Sequence, residues 1–191
     1  MLIGLLSVLV LQANPPEFVG IPDAAILPHY RPQQQTMWCW AACTEMALSY
    51  QGIKWPQANI VQRAIGLNIN IPGNPQALMR ATNGIFLNEE KKQVVSSGQM
   101  ILGPPIPHVL YTQLKRKKPV ILAYQQQQGF IGHAVLLTGM DFNLRPGVLE
   151  PEINPLTFHI WDPFSFRVVQ GPFGEPQFVP VPELRKRVYN I

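Results

Sequence analysis

Cys39 has the residue type and the position of a catalytic thiol. It lies near the start of a run from Thr36 to Tyr50 that contains neither glycine nor proline and is followed by Gly52, a pattern that predicts a helix with Cys39 in its first turn. The positive end of a helix dipole stabilises a thiolate at that position. A buried free cysteine is often only a small apolar side chain, so position alone does not establish catalysis.

A thiol nucleophile needs a nearby base, and His133 is the residue that could supply it. The imidazole lies in the apolar run 131–140 between Gly132 and Ala134, whose small size leaves room for another group to approach. A single histidine on an apolar strand is more often a core residue that bonds the backbone. Pairing with a cysteine at a helix start favours the catalytic interpretation, which also requires a third group to fix the tautomer of the ring.

The third group can be narrowed by counting, because the chain has only three aspartates, Asp23, Asp141 and Asp162. Asp141 is eight residues along the same predicted strand as His133, which places it about 26 Å away and out of reach. Asp162 ends the next predicted strand, and a fold-back centred near Gly147 would set it across from His133. The prolines of this connection also permit a later centre, and Asp162 could instead simply begin a turn.

The rest of the sequence predicts helices first and strands afterwards. The helix that carries Cys39 is apolar on nearly every side, so it should be central and buried. Helices followed by antiparallel strands are typical of an α+β fold. The predicted helices cover 56–65, 75–81 and 105–117; the predicted strands cover 119–124, 131–140, 156–161 and 166–169, with turns at 125–129 and 162–165 and a last helix or surface segment at 181–189.

The chain consists of three predicted segments. Residues 1–13 are apolar and uncharged, too short to span a bilayer but as long as the apolar part of a secretion signal, although no basic residue precedes them. An export signal and a buried N-terminus are both consistent with this segment, so the protein is expected to be exported, or cytoplasmic if the segment is no signal. Residues 14–32 are proline-rich and predict an extended strap or leader, and residues 33–191 form the predicted domain.

Composition excludes several classes of protein. With 47% hydrophobic and 14% charged residues, the chain of 191 residues should fold rather than stay disordered. The net charge of +4 comes largely from the short runs 115–118 and 185–187, without any nucleic-acid-binding motif, so no nucleic-acid partner is expected. Zinc bound by Cys39, Cys43 and two histidines would lack the second half of a structural zinc signature. Neither a metal nor a cofactor is therefore predicted.

Three separated motifs resemble those of a known family. QQQTMWCWAAC at 33–43 resembles the active-site segment of papain-like cysteine peptidases, and the later GHAVLLTGMD and FHIWDP segments resemble their histidine strand and acid strand. The likeness is to the short bacterial branch that includes avirulence-effector proteases and leader-cleaving peptidases. It implies a papain-like fold in which Cys39 is the nucleophile, His133 the base, Asp162 the orienting residue and Gln33 the side-chain donor of the oxyanion hole.

The motifs also depart from the family pattern. Plant and animal papains usually have asparagine as the third residue, which makes Asn154 the alternative to Asp162. Met37 and Trp38 replace the glycine and serine that commonly precede the nucleophile, so the substrate groove should be narrower. The residues expected to contact substrate there are Trp38, Trp40 and Gly132.

The predicted reaction is hydrolysis of a peptide bond in a protein or peptide substrate through a thioester acyl-enzyme. A deamidase or an acyltransferase would use the same site with a different substrate or acceptor. An inactive papain-like module that binds peptides without cutting them is the alternative from another class. No stable membrane insertion is expected, and the sequence does not predict an oligomeric state.

Overall fold

The computed structural model describes residues 15–124, 132–148, 151–164 and 177–180, with the backbone alone for Tyr124 and for 177–180. Among the described residues, no helix is both long enough and apolar enough to cross a membrane. The helices are α1 (Asp23–Ile26), a 3-10 turn (Leu27–His29), α2 (Cys39–Tyr50), α3 (Gln57–Ile65), α4 (Pro75–Thr82) and α5 (Pro107–Lys115). The strands are β1 (Glu17–Gly20), β2 (Gly84–Leu87), β3 (Gln93–Ser96), β4 (Val120–Tyr124), β5 (His133–Arg145), β6 (Glu152–Trp161) and β7 (Gln177–Pro180).

Helix α2 is central and buried, as predicted, but it begins at Cys39 and not at Thr36. The reason lies in the preceding loop, where the side-chain amide of Gln33 donates to the carbonyls of Gln35 and Thr36. The Gln35 carbonyl also accepts the N–H of Trp38 at 3.1 Å, which closes a turn before the helix, and the first hydrogen bond of the helix runs from the N–H of Ala42 to the carbonyl of Trp38. Cys39 therefore occupies the first helical position.

The main sheet contains five described strands, all antiparallel, around the long strand β5. Strand β6 pairs with one edge of β5 and in turn with β7. On the other edge, β4 pairs with His133 to Leu137, and β1 pairs with the next part of the strand, from Gly139 to Phe142. Helices α2, α3 and α4 pack with one face of this sheet and α5 with the other, as the two largest apolar clusters show.

Most predicted elements are present, with shifted ends. Strands β5 and β6 are longer than predicted because they form one hairpin whose outer half has exposed or partly exposed positions that weaken the apolar pattern. The hairpin of β2 and β3 was not predicted. The predicted turn at 125–129, strand at 166–169 and final segment at 181–189 lie outside the described residues.

The proline-rich segment is more ordered than the extended strap that its sequence predicts. It contains β1, α1 and the 3-10 turn, and the side chains of Ile21 and Ile26 are fully buried in the core. Gly20 and Gly139 face each other across β1 and β5, and a Cβ added at Gly20 would lie 2.4 Å from the Cα of Gly139. Since only glycine permits so close an approach, these two residues let the segment join the sheet.

Candidate active site

His133 and Asp162 form a hydrogen-bonded ion pair at one end of the sheet. His133 is the first residue of β5, and Asp162 directly follows the last residue of β6. The imidazole Nε2 lies 2.8 Å from Oδ1 of the carboxylate, and the two side chains are 11% and 18% exposed. Because Nε2 is engaged by Asp162, the ring presents Nδ1 as its second nitrogen.

The register of β5 and β6 explains how these residues meet. The ladder runs from Arg145 opposite Glu152 to Leu136 opposite Trp161. The fold-back is therefore centred slightly later than Gly147, and Asp162 is not directly opposite His133. Its side chain reaches the ring from just beyond the end of the ladder.

The thiol of Cys39 lies close to His133 and to Gly132. Its side chain interacts with His133, whose pKa it raises, and Sγ lies 3.9 Å from the carbonyl oxygen of Gly132. The residue is 6% exposed. As the first residue of α2, it has a backbone N–H without an acceptor inside the helix, which leaves that group available to a bound oxygen atom.

The environment of His133 favours the imidazolium form. Burial by itself would lower the pKa, but the hydrogen bonds and the negative charges of Asp162 and Cys39 outweigh burial and raise the pKa of His133 from 6.5 to about 9. The ring is therefore predominantly protonated at neutral pH. A protonated imidazole beside a thiol stabilises the thiolate, which is the nucleophilic form of cysteine.

Residues around Asp162 hold the carboxylate in place. Oδ1 also accepts the backbone N–H of Phe164 at 2.8 Å, and the hydroxyl of Tyr30 donates to the carbonyl of Asp162 at 3.0 Å. The Phe164 ring packs against the His133 ring, with centroids 5.9 Å apart and planes at 87°. Neither aromatic residue was singled out from the sequence, because nothing in the spacing of the motifs relates Tyr30 or Phe164 to a catalytic ring.

Gln33 bonds the loop that leads into Cys39. The residue is only 2% exposed, and its Nε2 lies 2.9 Å from the carbonyl oxygens of both Gln35 and Thr36. Its backbone N–H donates to the carbonyl of Pro163 at 2.8 Å, which links this loop to the segment that carries the acid. Its role as an oxyanion donor stays a prediction.

Trp38 and Trp40 flank Cys39 and are both buried, at 5% and 2% exposure. Their indole N–H groups donate to the carbonyls of Ile69 and Ile71 at 3.0 and 3.3 Å. The two rings thus fasten the loop after α3 to the nucleophile segment, and their contact with substrate stays a prediction. Gly132, the third residue expected to contact substrate, is exposed beside the thiol.

The other residues that the sequence offered as possible site residues lie apart from His133 and Asp162. Asp141 pairs with His159 across the sheet, with Oδ2 and Nε2 3.0 Å apart. Asn154 lies opposite Asn143 in the outer half of the hairpin. Cys43 is one turn below Cys39 and completely buried, and burial above all raises the pKa of its thiol well above the usual value. In the described ranges, no group of three or more potential ligands could hold a metal ion.

The α+β fold, with a thiol at the start of a buried helix and a histidine on the adjoining antiparallel sheet, defines a papain-like cysteine peptidase fold. The sequence model of the peptidase C39-like family matches residues 28–169, and the chain belongs to that family. This membership identifies a cysteine peptidase that acts on proteins or peptides. A search of curated proteins returned no match. The narrower resemblance to avirulence-effector and leader-cleaving enzymes stays a prediction.

Proposed function

We propose that the protein is an endopeptidase in which Cys39, His133 and Asp162 act as a catalytic triad. The observation that carries the proposal is the position of His133, whose ring bonds Asp162 and also interacts with the side chain of Cys39. A nucleophile bonded to a base that is itself oriented by a third group is the arrangement required for nucleophilic catalysis.

The reaction proceeds in two halves. The Cys39 thiolate attacks the peptide carbonyl carbon, and the electron pair of the C=O double bond moves to its oxygen. When this intermediate collapses, the C–N bond breaks and the His133 imidazolium protonates the departing amine. His133, now neutral, accepts a proton from water, the resulting hydroxide attacks the thioester, and Cys39 leaves as a thiolate beside the restored imidazolium.

The oxyanion of each intermediate needs hydrogen-bond donors. The N–H of Cys39 has no acceptor within the helix, and the positive end of α2 favours negative charge at that point. We assign Gln33 as the second donor. Because its amide hydrogens point to the carbonyls of Gln35 and Thr36 in the free enzyme, one of those bonds is exchanged for a bond to the oxyanion.

The carbonyl of Gly132 is the proposed anchor for the substrate backbone. In the free enzyme it lies 3.9 Å from the Cys39 sulfur and can accept the S–H hydrogen. A thiolate has no proton to donate, so formation of the thiolate releases this carbonyl. It can then accept an N–H group of the bound peptide next to the attacked bond.

Digestion of a peptide library, followed by mass spectrometry, tests the proposal. Wild-type protein should generate new peptide termini, and Cys39→Ala protein should generate none. Mass changes at glutamine without new termini would indicate a deamidase, and joined peptides would indicate an acyltransferase. Retention of peptides without any covalent change would indicate a binding module, and each of these three outcomes would contradict the endopeptidase proposal.

A further inference from the structure

Gln57, the first residue of α3, has a fully buried side chain that makes three hydrogen bonds. Its Oε1 accepts the backbone N–H of Gln34 at 2.9 Å. Its Nε2 donates to the carbonyl of Pro32 and to Oε2 of Glu45, each at 3.0 Å. The residue has no measurable exposure, so this amide has all of its hydrogens and its oxygen engaged in the interior.

Two of these bonds hold the backbone on either side of Gln33. The carbonyl of Pro32 and the N–H of Gln34 belong to the residues that flank it, so a single side chain fixes the segment before and after it. The N–H of Gln33 itself is held by the carbonyl of Pro163. The position of Gln33 is therefore set from α3 on one side and from the acid segment on the other.

The third bond fixes Gln57 in turn. Glu45 lies on α2, the helix that carries Cys39, and its carboxylate accepts a side-chain N–H of Gln57. Arg31 approaches the other carboxylate oxygen at 3.9 Å. A carboxylate at the N-terminus of α3 is favoured by the helix dipole. Glu45 thus ties the amide of Gln57 to the same helix that positions the nucleophile.

We propose that Gln57 is a positioning residue of the oxyanion hole, acting through Gln33; this inference rests on the proposed peptidase mechanism. Loss of its amide would leave the Pro32 carbonyl and the Gln34 N–H without their buried partner and would release the segment between them. The Gln33 amide would then lose its alignment with the developing oxyanion. The thiolate and imidazolium, which lie on other elements, would be unaffected.

Steady-state kinetics of Gln57→Met test this inference, since methionine has nearly the same length but no amide. We expect kcat to fall about 10- to 100-fold with KM nearly unchanged, because misplacement of a group that acts in the transition state lowers turnover. The rate at which iodoacetamide alkylates Cys39 should stay at the wild-type value, since that reaction forms no oxyanion. Asn83→Leu is the matched control, because Asn83 also bridges two backbone groups, the carbonyl of Met79 and the N–H of Gly98, away from Gln33.

A double-mutant cycle separates positioning from a general loss of stability. In the Gln33→Ala background, Gln57→Met should cause no further loss of kcat, because the residue acts only through Gln33. Should Gln57→Met fail to fold, Gln57→Asn keeps the amide but shortens its reach, and it should show the same dependence on Gln33. If the wild-type enzyme is active and the losses of kcat caused by Gln57→Met and Gln33→Ala add, the positioning role of Gln57 is overturned but the proposed function is not. Full activity in the Gln57 variants would have the same consequence. A wild-type protein that cuts no peptide would overturn the proposed function and this inference together.

Discussion

Asp162 holds the ring of His133 with the same carboxylate oxygen that accepts the backbone N–H of Phe164. Both bonds to this oxygen are 2.8 Å long. The turn after β6 therefore fixes the Asp162 carboxylate, and that carboxylate fixes Nε2 of the His133 ring. Phe164 also packs against the ring, so one short segment after the strand both orients the imidazole and covers it.

Substitution of the thiol and the base should separate catalysis from folding. We expect Cys39→Ala and His133→Ala to lower kcat by at least about 10⁴-fold, since either change removes a member of a group that works as a unit. Cys43→Ala should keep most of the activity, because Cys43 is fully buried and lies one helical turn along α2 from Cys39. All three variants would be assayed on one peptide substrate, with circular dichroism to verify folding. Activity that survives in Cys39→Ala but not in Cys43→Ala would contradict the assignment of the nucleophile.

Alkylation should distinguish the two cysteines without any substrate. Iodoacetamide at neutral pH is expected to label Cys39 and to leave Cys43 unmodified, because Cys43 is fully buried and burial raises the pKa of its thiol. Peptide mapping by mass spectrometry after timed quenching gives the two rates. Equal labelling of both thiols in folded protein would show that the environment of Cys39 confers no special reactivity.

Substitution of Asp162 and substitution of Asp141 should have sharply different effects on peptidase activity. Asp162→Ala is expected to lower kcat/KM by about 10²- to 10⁴-fold, because the imidazole loses the group that fixes its orientation and stabilises its charge. Asp141→Ala removes a carboxylate that contacts His159, and peptidase activity should stay close to the wild-type value. Comparable losses in the two folded variants would place the orienting group elsewhere.

Activity should fall at high pH as His133 loses its proton. The pKa of His133 is raised to about 9, so the protonated form needed by the departing amine is present at neutral pH and disappears as the pH rises through 9. The alkaline limb of kcat/KM should therefore have its midpoint near pH 9. His159→Asn is the control, and it should leave the midpoint unchanged.

Removal of the Asp162 carboxylate should lower the pKa of His133. Asp162 supplies both a hydrogen bond and a negative charge that raise the pKa of His133, so Asp162→Ala should lower it, by about 1 to 3 units. Nitrogen NMR of the imidazoles would follow the titration, with the His133 signals assigned by their absence in His133→Asn. An unchanged His133 titration in folded Asp162→Ala protein would show that the carboxylate does not govern the charge of the ring.

The sequence predicted those parts of the fold that have a strong local signal. Helix α2 could be found because its sequence is free of glycine and proline and is followed by Gly52, and β5 because its inner half is continuously apolar. The start of α2 at Cys39 depends on Gln33, which bonds two carbonyls of the preceding loop. The place of β1 depends on the contact of Gly20 with Gly139, more than a hundred positions away in the chain. Such tertiary contacts leave no periodic pattern in a single sequence.

The candidate site was predictable to a similar extent. Counting aspartates and measuring reach along a strand led to Asp162 and excluded Asp141, because both steps use only the geometry of an extended chain. The exact register was not predictable, since the prolines near 151 and 155 allow more than one centre for the fold-back. Gln57 could not be found at all, because its importance arises from the backbone groups of residues 32 and 34 that it reaches in the folded protein.

The wide separation of the site residues along the chain has a consequence for synthesis. Cys39 is made early, whereas Asp162 and the Pro163 carbonyl that holds Gln33 are made late. At typical translation rates, roughly 6 to 25 seconds pass between the nucleophile and the acid. During that interval Cys39 lacks the Asp162 carboxylate and the Pro163 carbonyl of the finished fold, so under the proposed mechanism the unfinished polypeptide has no complete triad.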